Sequence, residues 1–211
     1  MIRYQLALLG HSQRWLPPSF AFLVLLAILY TDPDAPILPE LAVSTGAVTV
    51  AASWLTIALV DAEDPVQRLI TRVHARRLST VLGGVVVSVL ICCAVLTAVS
   101  LVWSSIRHGG DPAGVLGIGV LAHLAGACTG VAIGLLCSRL LVTRIGYTVL
   151  AAPAALVVVL LLRWVPLLNP MLRAMSSGTP ATGAVVVGVV TSAVLLSVSA
   201  VVVGLLFRRR S

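Results

Sequence analysis

Apolar residues fall in six runs separated by short polar connections, at about 16–30, 41–60, 80–105, 115–136, 147–162 and 184–207. A helix needs about 20 mostly apolar residues to cross the hydrocarbon of a bilayer, so the pattern predicts six transmembrane helices. The first run is short and is flanked by Trp15 and Tyr30, residues suited to the membrane interface. No small-x-small cleavage pattern precedes Thr31, so the run reads as a span rather than a signal peptide. Residues 1–211 are expected to form one all-α integral membrane domain.

Composition removes the other classes. Of 211 residues, 59% are hydrophobic and 10% charged, where a soluble domain carries about 25% charged residues. Mean hydropathy is +1.10, the opposite of a disordered chain. All 14 basic residues are arginine, and the P-loop and kinase sites need a lysine on the phosphates. The chain is therefore expected to hydrolyse no ATP and to be no enzyme.

The net charge of +7 reads as arginine retained in the cytoplasm, not as nucleic-acid binding. Arg3, Arg14, Arg68, Arg72, Arg76, Arg77, Arg139, Arg144, Arg208, Arg209 and Arg210 fall in alternate segments, and only Arg107, Arg163 and Arg173 in the opposite set. That division predicts a multi-pass protein of the cell membrane with both termini in the cytoplasm. Cys92, Cys93, Cys128 and Cys137 have no spacing that predicts a disulfide framework or a metal site.

Little reactive chemistry is legible. Asp32, Asp34, Glu40, Asp61, Glu63, Asp64 and Asp111 all fall in connections, so no carboxylate is expected inside a span. Ion-coupled carriers usually depend on one. His123 lies at depth and reads as a packed, hydrogen-bonded residue. An intramembrane aspartyl site, a Gly-x-Ser-x nucleophile turn and a channel filter are all missing. Gly126, Gly130 and Gly134 recur every fourth residue and form a smooth stripe for helix packing. Pro153 should kink the fifth span.

The connection 61–79 is the most structured. Asp64 can cap a helix whose first residue is Pro65, with Gln67 at the third position. Acids crowd its start and arginines its end, as the helix dipole favours. Arg68, Arg72 and Arg76 share one stripe, beside an apolar stripe containing Leu69 and Val73. The segment reads as an amphipathic helix, lying on headgroups or docked into another protein.

Three stretches carry a resemblance: Arg3-Tyr4-Gln5 with Ser12 to Pro18, Asp61 to Gly84, and Trp164 to Pro170. Together with six spans, they resemble the permease subunit of type-2 ABC transporters, the exporter branch that handles drugs, lipids and polysaccharides. The resemblance implies that residues 1–15 are an amphipathic connecting helix, 61–79 a cytoplasmic coupling helix, and 163–183 an outer loop with short helices. It further implies a second permease subunit, same or related, and separate cytoplasmic ATPase subunits that carry ATP and Mg, with no cofactor in this chain. Asp61, Glu63, Asp64, Arg68, Leu69, Arg72 and Val73 would dock on the ATPase. Spans two and five would line the path, with Ser44, Thr45, Thr49, Ser53, Thr56 and Pro153 along it, which suits a hydrophobic or amphipathic cargo. Those hydroxyls can equally bond back to their own helix. The alternative is a non-transporting membrane scaffold or assembly factor, and a small-solute secondary carrier is a third reading. Arginine-only basicity with abundant alanine and valine points to a high-GC bacterium such as an actinomycete.

Overall fold

The computed structural model describes residues 1–63, 78–110, 113–139, 145–162, 167–177 and 181–209. All regular structure among them is helical: α1 (Ile2–Ser12), α2 (Leu16–Leu29), α3 (Ile37–Ala62), α4 (Leu78–Arg107), α5 (Ala113–Cys137), α6 (Ile145–Leu161), α7 (Asn169–Ser176) and α8 (Thr182–Arg209). Four of these, α3, α4, α5 and α8, are long and apolar enough to cross a membrane, and counting the α1–α2 pair as one broken span makes five. The chain is a multi-pass membrane protein. At 14 and 17 residues, α2 and α6 extend about 21 and 25 Å, short of the roughly 30 Å of hydrocarbon.

The helix ends follow local chemistry. Pro17 and Pro18 sit in the first turn of α2, where a missing N–H has no partner to lose. Gln13 adopts a left-handed φ of 53°, and there the chain turns 78° between α1 and α2. Pro36, extended at φ −69° and ψ 127°, leads into α3, whose first turn holds Glu40. A carboxylate there complements the helix dipole. The helix thus starts four residues before the apolar run and ends two after it. That corrects one expectation: Glu40 and Asp61 are residues of α3, not of its flanking connections.

α3 and α5 form the centre. Over their most apolar stretches they are 67% and 78% buried, against 33% for α4 and 22% for α8. One apolar cluster (Phe22, Leu26, Leu55, Leu59, Val89, Leu135) joins α2, α3, α4 and α5. A second (Leu41, Ile133, Val159, Met171, Met175, Val185) lies among α3, α5, α6, α7 and α8. The α3–α5 pair is therefore a wall with a core on each side. α7 closes the second core with Met171 and Met175, both essentially inaccessible. Asn169 Nδ2 donates to the Leu160 carbonyl at 2.7 Å, satisfying an acceptor left over at the end of α6. Residues 163–166 of the expected outer loop lie outside the described residues.

Candidate functional site

Two stripes of four-residue spacing face each other across the α3–α5 pair. A Cβ on Gly126 would lie 2.8 Å from Thr49 Oγ1 and 2.9 Å from the Thr45 carbonyl oxygen. On Gly130 it would run into the Thr49 carbonyl oxygen and lie 2.7 Å from Ala52 Cβ. On Gly134 it would lie 2.8 Å from the Ser53 carbonyl oxygen. The glycine stripe packs on α3 of its own chain, backbone close to backbone, with glycine Cα opposite carbonyls as Cα–H···O contacts require.

This close approach seals the hydroxyls. Ser44, Thr45, Thr49, Ser53 and Thr56 are all buried under α5. Thr49 donates to the Thr45 carbonyl at 3.0 Å and Thr56 to that of Ala52 at 2.7 Å, so both bond to their own helix. Thr129 does the same on α5, to Ala125 at 2.9 Å. Pro153 lies on an exposed face of α6, so the structure does not bring it to these hydroxyls.

His123 anchors the seam. Its Nδ1 lies 2.8 Å from the Gly119 carbonyl oxygen, which can only accept, so Nδ1 carries the proton. Nε2 then faces the Ser44 hydroxyl at 3.1 Å, whose single proton it shares with the Leu41 carbonyl, also at 3.1 Å. A serine bonded to a carbonyl-oriented histidine is the local chemistry of a nucleophile and its base. Here both residues are fully buried, so no substrate reaches them and the pair acts as interhelical glue. Such bonds contribute about 0.6 kcal/mol on average and at most about 1.7 within a membrane bundle. His123→Leu should therefore cost about 1 kcal/mol, and Thr49→Val less. Reversible unfolding in mixed micelles measures both, and a loss well beyond 2 kcal/mol for Thr49→Val would contradict the self-bonded assignment.

The ends of the bundle hold the ionic contacts. At one end, Tyr4 of α1 donates to Glu63 Oε1 at 3.5 Å, and Arg139 Nε lies 3.8 Å from Asp61 Oδ1. α1 seats beside them, with the Ser88 hydroxyl 3.5 Å from the Ile2 carbonyl and Gly84 leaving room for Met1 and Gln5. Of the expected docking residues, Asp61 and Glu63 are placed here. Asp64, Arg68, Leu69, Arg72 and Val73 lie outside the described residues.

The opposite end carries a cluster that sequence reasoning missed. Arg107 donates from Nε to the Tyr30 carbonyl at 3.0 Å and from Nη2 to that of Thr31 at 2.8 Å. The Tyr30 hydroxyl meets Ser100 Oγ at 3.1 Å. His108 Nε2 lies 3.4 Å from Glu40 Oε2, with both side chains almost wholly buried. A signal existed for Arg107 alone: it is one of only three arginines in the arginine-poor set of connections.

No three His, Cys, Asp or Glu among the described residues come together as a metal site. A groove of about 480 Å³ on α4, lined by Ala98, Val99, Val102, Trp103 and Ile106, is almost wholly apolar. Compared with protein-family models, curated proteins and solved structures, the chain matches none.

Proposed function

We propose that this chain is the membrane-spanning half of an ATP-driven exporter of the type-2 ABC class. Two such chains, or one with a related chain, form the path, and separate cytoplasmic ATPase subunits bind ATP and Mg and drive it. In this reading α2 and α6 cross as short spans, giving six, and both termini lie in the cytoplasm. The cargo in this reading is hydrophobic or amphipathic, since the faces that the helices leave exposed are apolar, as at Val95, Val102, Leu150, Val157, Val187 and Val194.

One arrangement supports the reading above all. α1, the start of the charged 61–79 segment and the start of the connection after α5 meet at one end, tied by Tyr4–Glu63 and Asp61–Arg139. The arginine-rich connections leave from that end, where a lever driven from the cytoplasm would have to stand. The sealed α3 hydroxyls favour the second reading, a membrane scaffold that transports nothing. Affinity purification from the native membrane separates the two: a co-purifying ATPase whose turnover responds to cargo supports the exporter, and purification with no ATPase supports the scaffold.

Topology is checked independently. Cysteine placed at Ala113 or Ser177 should react with an impermeant thiol reagent in intact cells, and cysteine at Ala75 should not. Labelling of position 75 from outside would reverse the orientation and remove the lever from the cytoplasm.

A further inference from the structure

We infer that His108, Glu40 and the carbonyls of Ala35 and Ser104 form a proton-binding clasp. It ties the α2–α3 connection to the end of α4 while His108 holds two protons, and releases it when one leaves. The argument turns on donors. His108 Nδ1 lies 3.0 Å from the Ser104 carbonyl oxygen and Nε2 lies 3.2 Å from that of Ala35. Carbonyl oxygens only accept, and a neutral imidazole has a single N–H. The neutral ring would set one nitrogen lone pair against an oxygen in a place where the side chain is 5% exposed, and an unsatisfied buried pair is destabilising. The imidazolium donates at both nitrogens and brings its charge to 3.4 Å from Glu40 Oε2.

The surrounding groups agree with that state. Glu40 faces the ring from α3. Tyr30 of α2 meets it edge-on, with ring centroids 6.5 Å apart and planes at 86°. Arg107, on the helix that carries His108, turns its guanidinium to the carbonyls of Tyr30 and Thr31. Asp32 and Asp34 in the connection are exposed, and Asp32 Oδ1 accepts from the Asp34 N–H at 3.0 Å, holding its own turn. Among the described residues the ring thus faces one carboxylate and two carbonyls.

Histidine is the side chain that changes charge between about pH 5 and 8, while arginine stays charged throughout. Arg107 is therefore a fixed anchor on the end of α2, and His108 a releasable one on the segment that follows it. A state stabilised by a bound proton is favoured in acid and lost as pH rises. Raising the pH should free residues 31–36 and the first turn of α3 without detaching α2. The clasp holds whatever the chain's function.

Amide hydrogen exchange on the full chain in nanodiscs tests this, with each rate corrected for the intrinsic effect of pH. Protection of residues 31–36 and 105–110 should fall between about pH 5.5 and about pH 8, by at most about tenfold per pH unit for a single linked proton. In His108→Gln the same amides should exchange fast at both pH values. The ring nitrogens of histidine-labelled wild type, read by nitrogen NMR, should show two N–H groups at about pH 5.5 and lose one in step with protection. That spectrum decides the matter even where His108→Gln fails to insert. Equal wild-type protection at both pH values overturns the clasp. So does a pH response retained in His108→Gln, or a neutral His108 ring while the segment is protected.

Discussion

Leucine at Gly130 should abolish the folded bundle. A Cβ alone at that position runs into the Thr49 carbonyl oxygen and lies 2.7 Å from Ala52 Cβ, and both are parts of α3 that cannot swing aside as a flexible side chain would. Alanine should therefore cost about 1–3 kcal/mol, the usual penalty for overpacking. Leucine adds three carbons in the same place and should exceed most of a native stability of about 5–15 kcal/mol. The comparison that isolates the cause is Gly117 on the same helix, where an added Cβ meets nothing within 4 Å. Gly117→Ala should be neutral or gain up to about 1 kcal/mol from helix propensity. Thermal unfolding in detergent reads all three. A Gly130→Leu protein that melts like wild type would mean that α3 does not sit on this stripe.

Reversing the charge of Arg68 or Arg72 should have the largest effect on function. A helix lying on headgroups loses roughly 1 kcal/mol of surface attachment per charge removed and leaves any complex intact. A helix docked in an ATPase cleft places each arginine in a specific contact, and reversal there should cost about 2–5 kcal/mol. If the exporter reading holds, Arg72→Glu and Arg68→Glu should then lose the ATPase, or its response to cargo, while the chain still inserts normally. Unchanged assembly together with unchanged stimulation in both variants would make the segment a surface helix and remove the exporter reading.

The apolar runs located α3, α4, α5 and α8 to within a few residues, because lipid leaves a backbone little choice but helix. The ends were harder to read. Apolarity stops at Leu41, but the helix does not, since its first turn tolerates Pro39 and welcomes Glu40. Reading that change of polarity as a helix end put a buried carboxylate in a loop. The glycine stripe was legible from its spacing, and Thr45, Thr49 and Ser53 were legible only as hydroxyls among apolar residues. What the spacing left open was which surface covers which, and the answer is that each covers the other. The clasp at His108 was not legible at all. It joins positions more than 60 residues apart, through carbonyls of Ala35 and Ser104 that any residue would supply.

The unequal helix lengths have a consequence for the surrounding lipid. No flat bilayer matches a 14-residue α2 and a 30-residue α4 at once, since they span about 21 and 45 Å. α4 can tilt or emerge, but an α2 that crosses, as the six-span reading has it, can only be met by drawing the leaflets together beside it. Hydrophobic mismatch of that kind recruits lipids with shorter acyl chains to one flank and favours residence in thinner membranes. In the six-span reading the short helix thereby makes the annulus of lipid around this protein asymmetric.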